Sequence, residues 1–483
     1  MIFFAFNKSV VFLYTSDRIQ WSIVIDRERN MNIVIAGGGK VGSELTGKLS
    51  AEGHEITLID INADVLENIM EKYDVIAIQG NTASMDVLDE AGIRKADLLI
   101  AATNADEINL LACFTARSLN KNIHTIGRIR NPEYRRQAIE MRDLFGLNLI
   151  INPEQQAANE IGRLLKYPGF LNIDTFAKGN TEIVSIKVTE SSPLKHVVLN
   201  KLGQLVHCQV LVCAVLRDGK CIMPDGNFVL EVGDLIYVTA SSNSLNRLLK
   251  SLGIITHKVK QVLIAGGGRI SYYLAQELEK TGIEPSIIES CKERCTELAE
   301  KLPNSTIISG DASSQGFLDS EGVENFDALV TLTGLDELNI VMSLYGNARK
   351  VPQIITKLSH AEYNRILDDL PVGSVVSPKE LTCSTIVRYV RAMQNKQGAA
   401  LTIHSIAKGQ AEAIEFVVDK NTKYVGKPLK DIPTKENVLI VSISHGMFSE
   451  IATGGSIFNI DDTVVIVTNS ESKIHELNDI FGE

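Results

Sequence analysis

Gly37, Gly39 and Gly42 follow a short apolar stretch, residues 32–36, and precede a helical pattern in which apolar residues recur every four positions over 41–49. In the pattern G-x-G-x-x-G the first glycine allows a tight turn and the second lets the backbone approach a pyrophosphate. The third lets the helix pack closely on the strand. The free N–H groups and the positive dipole end of the helix then face the phosphates. The spacing therefore predicts a phosphate-binding loop.

Asp60 ends the next strand-like stretch, residues 55–60. Dinucleotide-binding folds carry an acid roughly 20 residues beyond the glycine motif, where its carboxylate can accept hydrogen bonds from the ribose hydroxyls of an adenosine. Asp60 fits that place. Together, the strand, glycine turn, helix, second strand and acid predict a dinucleotide site. The alternative is a fold of the same class whose crevice is empty or only structural.

Strands and helices alternate from residue 32 to about 149, which predicts a parallel sheet with right-handed crossovers. One of these helices follows Asp60, with an apolar pattern at Val65, Ile69 and Met70. Ligands bind at the carboxyl ends of the strands in such sheets, and polar residues follow the predicted strands there. The candidate cofactor-binding residues of this half are Gly37, Gly38, Gly39, Lys40, Val41, Gly42, Asp60, Asn81, Thr103, Asn104 and Arg128.

The chain then repeats itself. The interval from Gly37 to Gly266 equals the interval from Asp60 to Glu289. A threonine and a basic residue recur in nearly the same register, as Thr333 and Lys357, which indicates a duplicated unit and not coincidence. The candidate cofactor-binding residues of the second half are Gly266, Gly267, Gly268, Arg269, Ile270 and Glu289.

The two halves differ at their loops. Ser271 replaces the third glycine, Arg269 replaces Lys40, and Glu289 is one methylene longer than Asp60. A serine side chain at the contact between helix and strand needs more room than glycine. The second crevice is therefore expected to bind more weakly, to bind another nucleotide, or to serve only as structure.

A β-rich stretch follows each of these units, so the predicted fold class is α/β. Two Rossmann-like parallel-sheet domains are each followed by a small α+β domain. Asn152-Pro153 and Ser377-Pro378 are typical of helix starts between the domains. The expected limits are 1–30 for a disordered upstream extension, 31–150 and 256–376 for the Rossmann domains, 151–172 and 377–400 for linker helices, and 173–255 and 401–483 for the small domains.

The composition of the 483 residues is that of a globular chain, with a net charge of −11 that argues against a nucleic-acid partner. The seven cysteines show no metal-ligand spacing, which is typical of reduced thiols, so no metal site is expected. No apolar run is long enough to cross a bilayer. Residues 1–30 fit a signal peptide poorly. Met31 directly precedes the first strand, so we expect translation to begin there. A membrane-touching amphipathic arm is the alternative.

No catalytic constellation is evident. The nine histidines are scattered, and none recurs at the corresponding position of the other half. A dehydrogenase needs acid and base groups against the nicotinamide, usually from a second domain. Two functions of different classes follow as hypotheses: a ligand-sensing regulatory subunit without catalytic residues, and a soluble NAD-dependent oxidoreductase whose active site is not recognised.

Tandem Rossmann units with small α+β domains resemble the regulator-of-potassium-conductance family. In particular, the chain is similar to the peripheral cytoplasmic subunits of Trk-type potassium uptake systems. The resemblance covers residues 31–483, and its most specific stretches are residues 35–42, 58–60, 79–81, 103–109 and 126–128.

This resemblance implies a nucleotide-binding ring of four chains on the inner face of the cell membrane, docked under a potassium transporter subunit. The ring would bind NAD(H) and respond also to ATP or ADP. Carried over by position, the first site would use residues 37–41, Asp60, Thr103, Asn104 and Arg128. The second would use residues 266–270 and Glu289, with Ser271 departing from the glycine pattern.

Overall fold

The computed structural model describes residues 30–166, 173–176, 181–240, 242–252, 259–359, 370–394, 400–446, 448–469, 474 and 476–482. The chain divides into two compact units, Met1–Ile151 and Asn152–Glu483. The extension expected over residues 1–30 lies outside the described residues, apart from Asn30.

The first unit holds a six-stranded parallel sheet in the order β3-β2-β1-β4-β5-β6. The strand order reverses between β1 and β4, and a crevice forms at such a point in open α/β sheets. The elements are β1 (Asn32–Ala36), α1 (Lys40–Ala51), β2 (Glu55–Asp60), α2 (Ala63–Met70), β3 (Ile76–Gln79), α3 (Met85–Glu90), β4 (Leu98–Ala101), α4 (Asp106–Leu119), β5 (His124–Arg128), α5 (Pro132–Glu140) and β6 (Leu149–Ile151).

Local sequence explains these elements. β4 is buried along its whole length and is continuously apolar, as expected of a central parallel strand. α1 buries Leu45 and Leu49, one turn apart, against the sheet. The Asn62 side chain caps α2 by accepting from the Asp64 N–H, 2.9 Å away. The helix predicted after Asp60 is confirmed as α2, which buries Leu66 and Ile69, whereas its last residue, Met70, is 49% exposed.

The second unit contains the linker helix, a small antiparallel sheet, a second six-stranded parallel sheet and a second small sheet. The parallel sheet repeats the first topology, in the order β14-β13-β12-β15-β16-β17, and the small sheets run β10-β9-β11-β8-β7 and β18-β19-β22-β20-β21. The elements are α6 (Pro153–Lys166), β7 (Ile173–Phe176), β8 (Thr181–Lys187), α7 (Leu199–Val206), β9 (Leu211–Arg217), β10 (Lys220–Ile222), β11 (Leu235–Ala240), α8 (Ser242–Ser251), β12 (Gln261–Ala265), α9 (Arg269–Thr281), β13 (Glu284–Glu289), α10 (Lys292–Lys301), β14 (Thr306–Ser309), α11 (Gln315–Ser320), β15 (Ala328–Thr331), α12 (Asp336–Ala348), β16 (Gln353–Lys357), β17 (Ser374–Val376), α13 (Pro378–Gln394), β18 (Ala400–Ile406), β19 (Ala411–Val417), β20 (Val438–His445), β21 (Phe448–Ile451) and β22 (Thr463–Asn469).

The linker helix α6 begins as its sequence predicts. The Asn152 side chain accepts from the Gln155 N–H at 2.9 Å, and Pro153 occupies the first turn. The buried stripe of α6 joins one apolar core that also includes residues of the first small domain and of the second parallel sheet. The helix is therefore part of a core and not an exposed tether.

The two small sheets share a core. Phe176 and Tyr237 of the first sheet lie in one buried cluster with Val441 and Val467 of the second. The opposite face of the second sheet covers its own core, which includes Phe416 and Phe458. Both faces of the second small sheet are thus packed.

The predicted fold class is confirmed: two Rossmann-like sheets, each followed by a small antiparallel sheet. The pattern did not reveal α5, β6, β7, α7, β10, α8, β18 or β21. Some of these elements are too short to show a period, since β6 and β10 have three residues each. Each of the seven cysteines is a free thiol. Burial raises the pKa of Cys113 and of Cys213 to about 12, so both remain neutral at physiological pH.

A pair of phenylalanines offers a test of this packing. Phe416 is fully buried in β19, whereas Phe448 in β21 is 66% exposed. We expect Phe416→Ala to cost about 3–5 kcal/mol, since it leaves a cavity in a close-packed core. Phe448→Ala should stay within about 0.5 kcal/mol of the parent chain. Scanning calorimetry of the full chain checks both values, and equal shifts in melting temperature would contradict the packing described.

Candidate nucleotide-binding crevices

Each parallel sheet turns into its first helix through a glycine with positive φ. Gly37 has φ of +102° and Gly266 has φ of +104°, a region that L side chains rarely adopt. The Gly37 N–H donates to the Ile59 carbonyl at 2.8 Å, and the Gly266 N–H donates to the Ile288 carbonyl at 2.9 Å. The two loops therefore fold alike, and each leads the helix N-terminus to the carboxyl edge of its sheet.

The second glycine of each motif borders open space. A Cβ built on Gly39 or on Gly268 meets no atom within 4 Å. Both residues cap their helices with φ near −70° and are exposed, so an alanine would fit the fold but would occupy this space. An open approach to the backbone at a helix N-terminus is what a pyrophosphate requires. The loops therefore fit a dinucleotide.

The acid at the end of the second strand is bound to the glycine loop in both halves. Asp60 accepts from the N–H groups of Gly38, at 2.6 Å, and Asn62, at 2.9 Å. Glu289 accepts in the same way from Gly267, at 2.8 Å, and Cys291, at 2.7 Å. The extra methylene of Glu289 leaves this pattern unchanged. Each carboxylate keeps further acceptor capacity for ribose hydroxyls.

Thr103 and Arg128 meet at the ends of β4 and β5. The Nη1 of Arg128 donates to the Thr103 carbonyl at 3.4 Å. The Thr103 hydroxyl, however, donates to the Asn109 side chain at 2.7 Å, so this hydroxyl is engaged by the protein itself. Thr103 thus shapes the crevice mainly through its backbone.

Asn109 joins these two strand ends, and sequence reasoning did not count it among the site residues. It is fully buried on α4, accepts from the Thr103 N–H at 2.9 Å, and donates to the carbonyls of Thr103 and Arg128. Asp106, also on α4, accepts from the N–H groups that follow β5, at Arg130 and Asn131. These two side chains position the edge of the crevice.

The second half repeats this arrangement. Asn339 accepts from the Thr333 N–H at 2.9 Å and donates to the Lys357 carbonyl at 3.1 Å. Lys357 Nζ donates to the Thr333 carbonyl at 3.0 Å. Asp336 accepts from the Ser359 N–H at 2.9 Å. The recurrence of the aspartate and the asparagine in both halves was a signal in the sequence that could have identified them.

The remaining predicted residues lie at the same edges with different exposures. Lys40 and Arg269 are exposed at the helix starts. Asn81 and Asn104 are exposed after β3 and β4, and the Asn81 side chain accepts from the Ala83 N–H in its own turn. The side chains of Val41, which is buried, and of Ile270, which is half-buried, pack inward, so only their backbone can face a ligand.

Ser271 is accommodated without changing the loop. A Cβ on Gly42 would lie 1.8 Å from the Gly37 carbonyl oxygen, so helix and loop must be farther apart in the second half. Ser271 is fully buried there, and its hydroxyl donates to the Gly266 carbonyl. The serine side chain thus occupies the added space and makes a hydrogen bond there, and the loop keeps its conformation.

Arg294 distinguishes the second crevice, and the motif search missed it. Its Nε donates to the Gly267 carbonyl at 2.8 Å, and its Nη1 contacts Glu297 at 2.6 Å. Lys301, and then Arg294, hold the pKa of Glu297 at about 2. The residue at the corresponding position of the first half is Val65, which packs on Gly38. A cation therefore borders the second loop where an apolar side chain borders the first.

Two further findings concern the part of the chain that the structure describes. In that part, no cluster of three or more His, Cys, Asp and Glu side chains could hold a metal ion. Likewise, none of the described helices combines the length and apolarity needed to cross a bilayer.

Comparison with known proteins shows that two domain families match this chain, each of them twice and in alternation. The TrkA-N domain matches residues 33–153 and 262–378, and the TrkA-C domain matches residues 183–253 and 413–482. The Trk system potassium uptake protein TrkA of Vibrio alginolyticus is 30% identical over 457 residues, which cover 93% of this chain and 98% of that protein.

Two solved structures share the fold at 18% identity. The GsuK RCK domain matches with a TM-score of 0.58 and covers 95% of this chain and 96% of its own. The GsuK channel bound to NAD also matches with a TM-score of 0.58, over 92% of this chain and 78% of its own. With its duplicated crevices and near-complete match to a TrkA protein, the chain belongs to the TrkA family, the Trk system potassium uptake proteins.

Proposed function

We propose that this protein is the nucleotide-sensing regulatory subunit of a potassium uptake system, and that it binds NAD(H) in its first crevice to gate a membrane potassium transporter. The observation that carries the proposal is the glycine loop held to a ribose acid, Gly38 to Asp60 at 2.6 Å, in a chain of the TrkA family. The cofactor would be held by the backbone of residues 37–41 and by Asp60. NAD(H) would act as the signal, because its abundance and redox state vary with metabolism.

ATP or ADP is the second proposed ligand class. Adenine nucleotides share the adenosine and phosphate groups for which the loop and the acid are suited. The second crevice has the same loop conformation and the same acid contacts, but adds Arg294 and Ser271. We propose that the two crevices differ in affinity or in ligand.

Regulation requires that a nucleotide bind one conformation better than another, because equal binding shifts no equilibrium. The alternative is an NAD-dependent oxidoreductase, which no contact among the described residues favours. Sustained NADH oxidation with a metabolite, by the purified protein, would support that alternative and contradict the regulatory proposal.

A ring of four chains is proposed from repeated exposed apolar side chains. On α4, Leu111 is 48% exposed and Phe114 is 43% exposed, and Val341 on α12 occupies the position that corresponds to Leu111 and is 56% exposed. Duplicated units that expose similar faces can associate head to tail and close into a ring. We propose that this ring lies on the cytoplasmic face of the membrane, against the transporter subunit.

Domain limits are also part of the proposal. We assign the Rossmann domains to residues 31–150 and 256–376, the linker helices to 151–172 and 377–400, and the small domains to 173–255 and 401–483. The helices α6 (Pro153–Lys166) and α13 (Pro378–Gln394) lie within the proposed linkers.

The first crevice should prefer NADH to NADPH by about tenfold or more, because the Asp60 carboxylate accepts from ribose hydroxyls and repels a 2′-phosphate. Asp60→Ala should weaken NADH binding and narrow this preference. Asp86→Ala, which removes an exposed carboxylate on α3, is the control and should bind as the parent does. Calorimetric titration of both cofactors checks this, and a preference for NADPH would refute the assigned role of Asp60.

Gly39→Ala should weaken NADH binding without destabilising the fold. Its φ of −66° suits alanine and the added methyl meets no atom, so the melting temperature should hold or rise slightly. The same methyl would occupy the space proposed for the pyrophosphate, and NADH affinity should fall about tenfold. Gly268→Ala should cost less NADH affinity, since helix and loop are farther apart beside Ser271. Equal losses would argue that the crevices are alike.

Leu111→Arg should disrupt the ring, because it would place a charge in the α4 surface that the proposed ring buries. Met70→Arg is the matched control, since Met70 on α2 is equally exposed, at 49%. Light scattering after size exclusion gives the mass of each assembly. A tetramer that survives Leu111→Arg, or that Met70→Arg breaks equally well, would exclude the α4 face as the interface.

A further inference from the structure

A buried hydrogen bond joins the start of the linker helix to the helix that carries the second phosphate loop. Asn152, 4% exposed, donates through Nδ2 to the hydroxyl of Tyr273 at 3.1 Å. Its Oδ1 accepts from the Gln155 N–H and so caps α6. One amide group therefore serves two contacts at once, and Tyr273 is itself only 5% exposed.

On one side, Asn152 follows directly on the last strand of the first parallel sheet. It is bonded covalently to Ile151, the last residue of β6, which pairs with Arg128 of β5. The Ile129 N–H donates to the Ile151 carbonyl at 2.8 Å, and Asn109 holds the Arg128 carbonyl at 2.8 Å. A shift of the strand ends around Arg128 would therefore reach Asn152 through the chain itself.

On the other side, Tyr273 lies one turn after Ile270, within the helix whose N-terminus forms the second loop. The linker helix packs along α9, with Ala158 and Ile161 in the same buried core as Leu274. The two helices approach closely at Gly162, where an added Cβ would lie 3.4 Å from the Glu277 side chain. Movement at the start of α6 would therefore be transmitted to α9 and not absorbed by a flexible contact.

The repeat shows that capping alone does not need this bond. Ser377 occupies the position of Asn152 at the start of α13, and its hydroxyl accepts from the Glu380 N–H at 3.4 Å. A serine keeps the cap but has no amide N–H₂ to donate. The counterpart of Tyr273 in the first half is Glu44. Both partners thus differ in the other half, and the amide–phenol pair is particular to the start of α6 and α9.

We propose that Asn152 and Tyr273 are positioning residues that couple the two nucleotide crevices of one chain, so that ligand in the first changes the conformation of α9 and the affinity of the second. The inference rests on the proposed function, in which the first crevice binds NADH. A shift at Ile151 that displaces the Asn152 amide would strain its bonds to the Gln155 N–H and to the Tyr273 hydroxyl. Because breaking a buried hydrogen bond is costly, α6 and α9 respond together. By linkage, ligand in the second crevice changes the affinity of the first by the same factor.

Hydrogen exchange with and without NADH tests the coupling. The full chain carries Glu289→Ala in every sample, so that NADH contacts in the second crevice are weakened. Protection of residues 37–42 reports occupancy of the first crevice, and exchange over residues 272–281 reports α9. NADH should slow exchange at both places in this parent. Tyr273→Phe, which removes one hydroxyl, and Asn152→Ser, which keeps the cap, should each abolish the α9 response and keep the protection of residues 37–42.

Tyr272→Phe is the matched control. It removes a hydroxyl from the same helix, one that accepts from Gln276 on α9 itself at 2.9 Å, and it should leave the α9 response intact. The double variant Asn152→Ser with Tyr273→Phe should behave like either single one, since both remove the same bond. An α9 response that survives Tyr273→Phe, or that is missing in the parent while residues 37–42 are protected, overturns the coupling alone. No protection of residues 37–42 by NADH overturns the proposed function and the coupling with it.

Discussion

The left-handed backbone of Gly37 and Gly266 is the constraint on which the rest of each crevice depends. With φ above +100°, the chain leaves the central strand and turns at once into a helix, which only glycine does without strain. The turn places the helix N-terminus over the switch point of the sheet and brings the next glycine N–H to the acid that ends the second strand. The phosphate and ribose contacts proposed here both follow from this turn.

Around this shared turn, the two halves have diverged in chemistry more than in geometry. The acid accepts from equivalent N–H groups in both, and the buried asparagine on the fourth helix of each sheet holds the same strand ends. The differences are in the side chains that border the loop. The Ser271 hydroxyl donates to the Gly266 carbonyl, a bond that Gly42 has no side chain to make, and Arg294 replaces an apolar contact with a cation. Such changes alter the local charge and donor pattern while the fold persists.

The linker helix α6 gives the second unit its organisation. Its buried stripe packs into one core with the first small domain and with the second parallel sheet, which include Val238 and Ile264. A helix of 14 residues has limited stability by itself, so tertiary packing of its apolar face must hold it. In the proposed function, binding of a nucleotide must be transmitted through a rigid element, and α6 has the contacts of such an element.

The sequence by itself determined the fold class, the duplication and the residues of both loops, because these depend on local backbone requirements. A glycine needed for a positive φ, an acid at a strand end and a proline after an asparagine each show in the spacing of residues such as Gly37, Asp60 and Pro153. Only the tertiary structure decided which side chains are available to a ligand. The Thr103 hydroxyl donates to Asn109, and Met70 at the end of α2 is exposed. It also decided that Asn152 meets Tyr273, 121 positions away in the chain. Contacts of this kind depend on how whole elements pack, and periodicity describes only the face that each element presents.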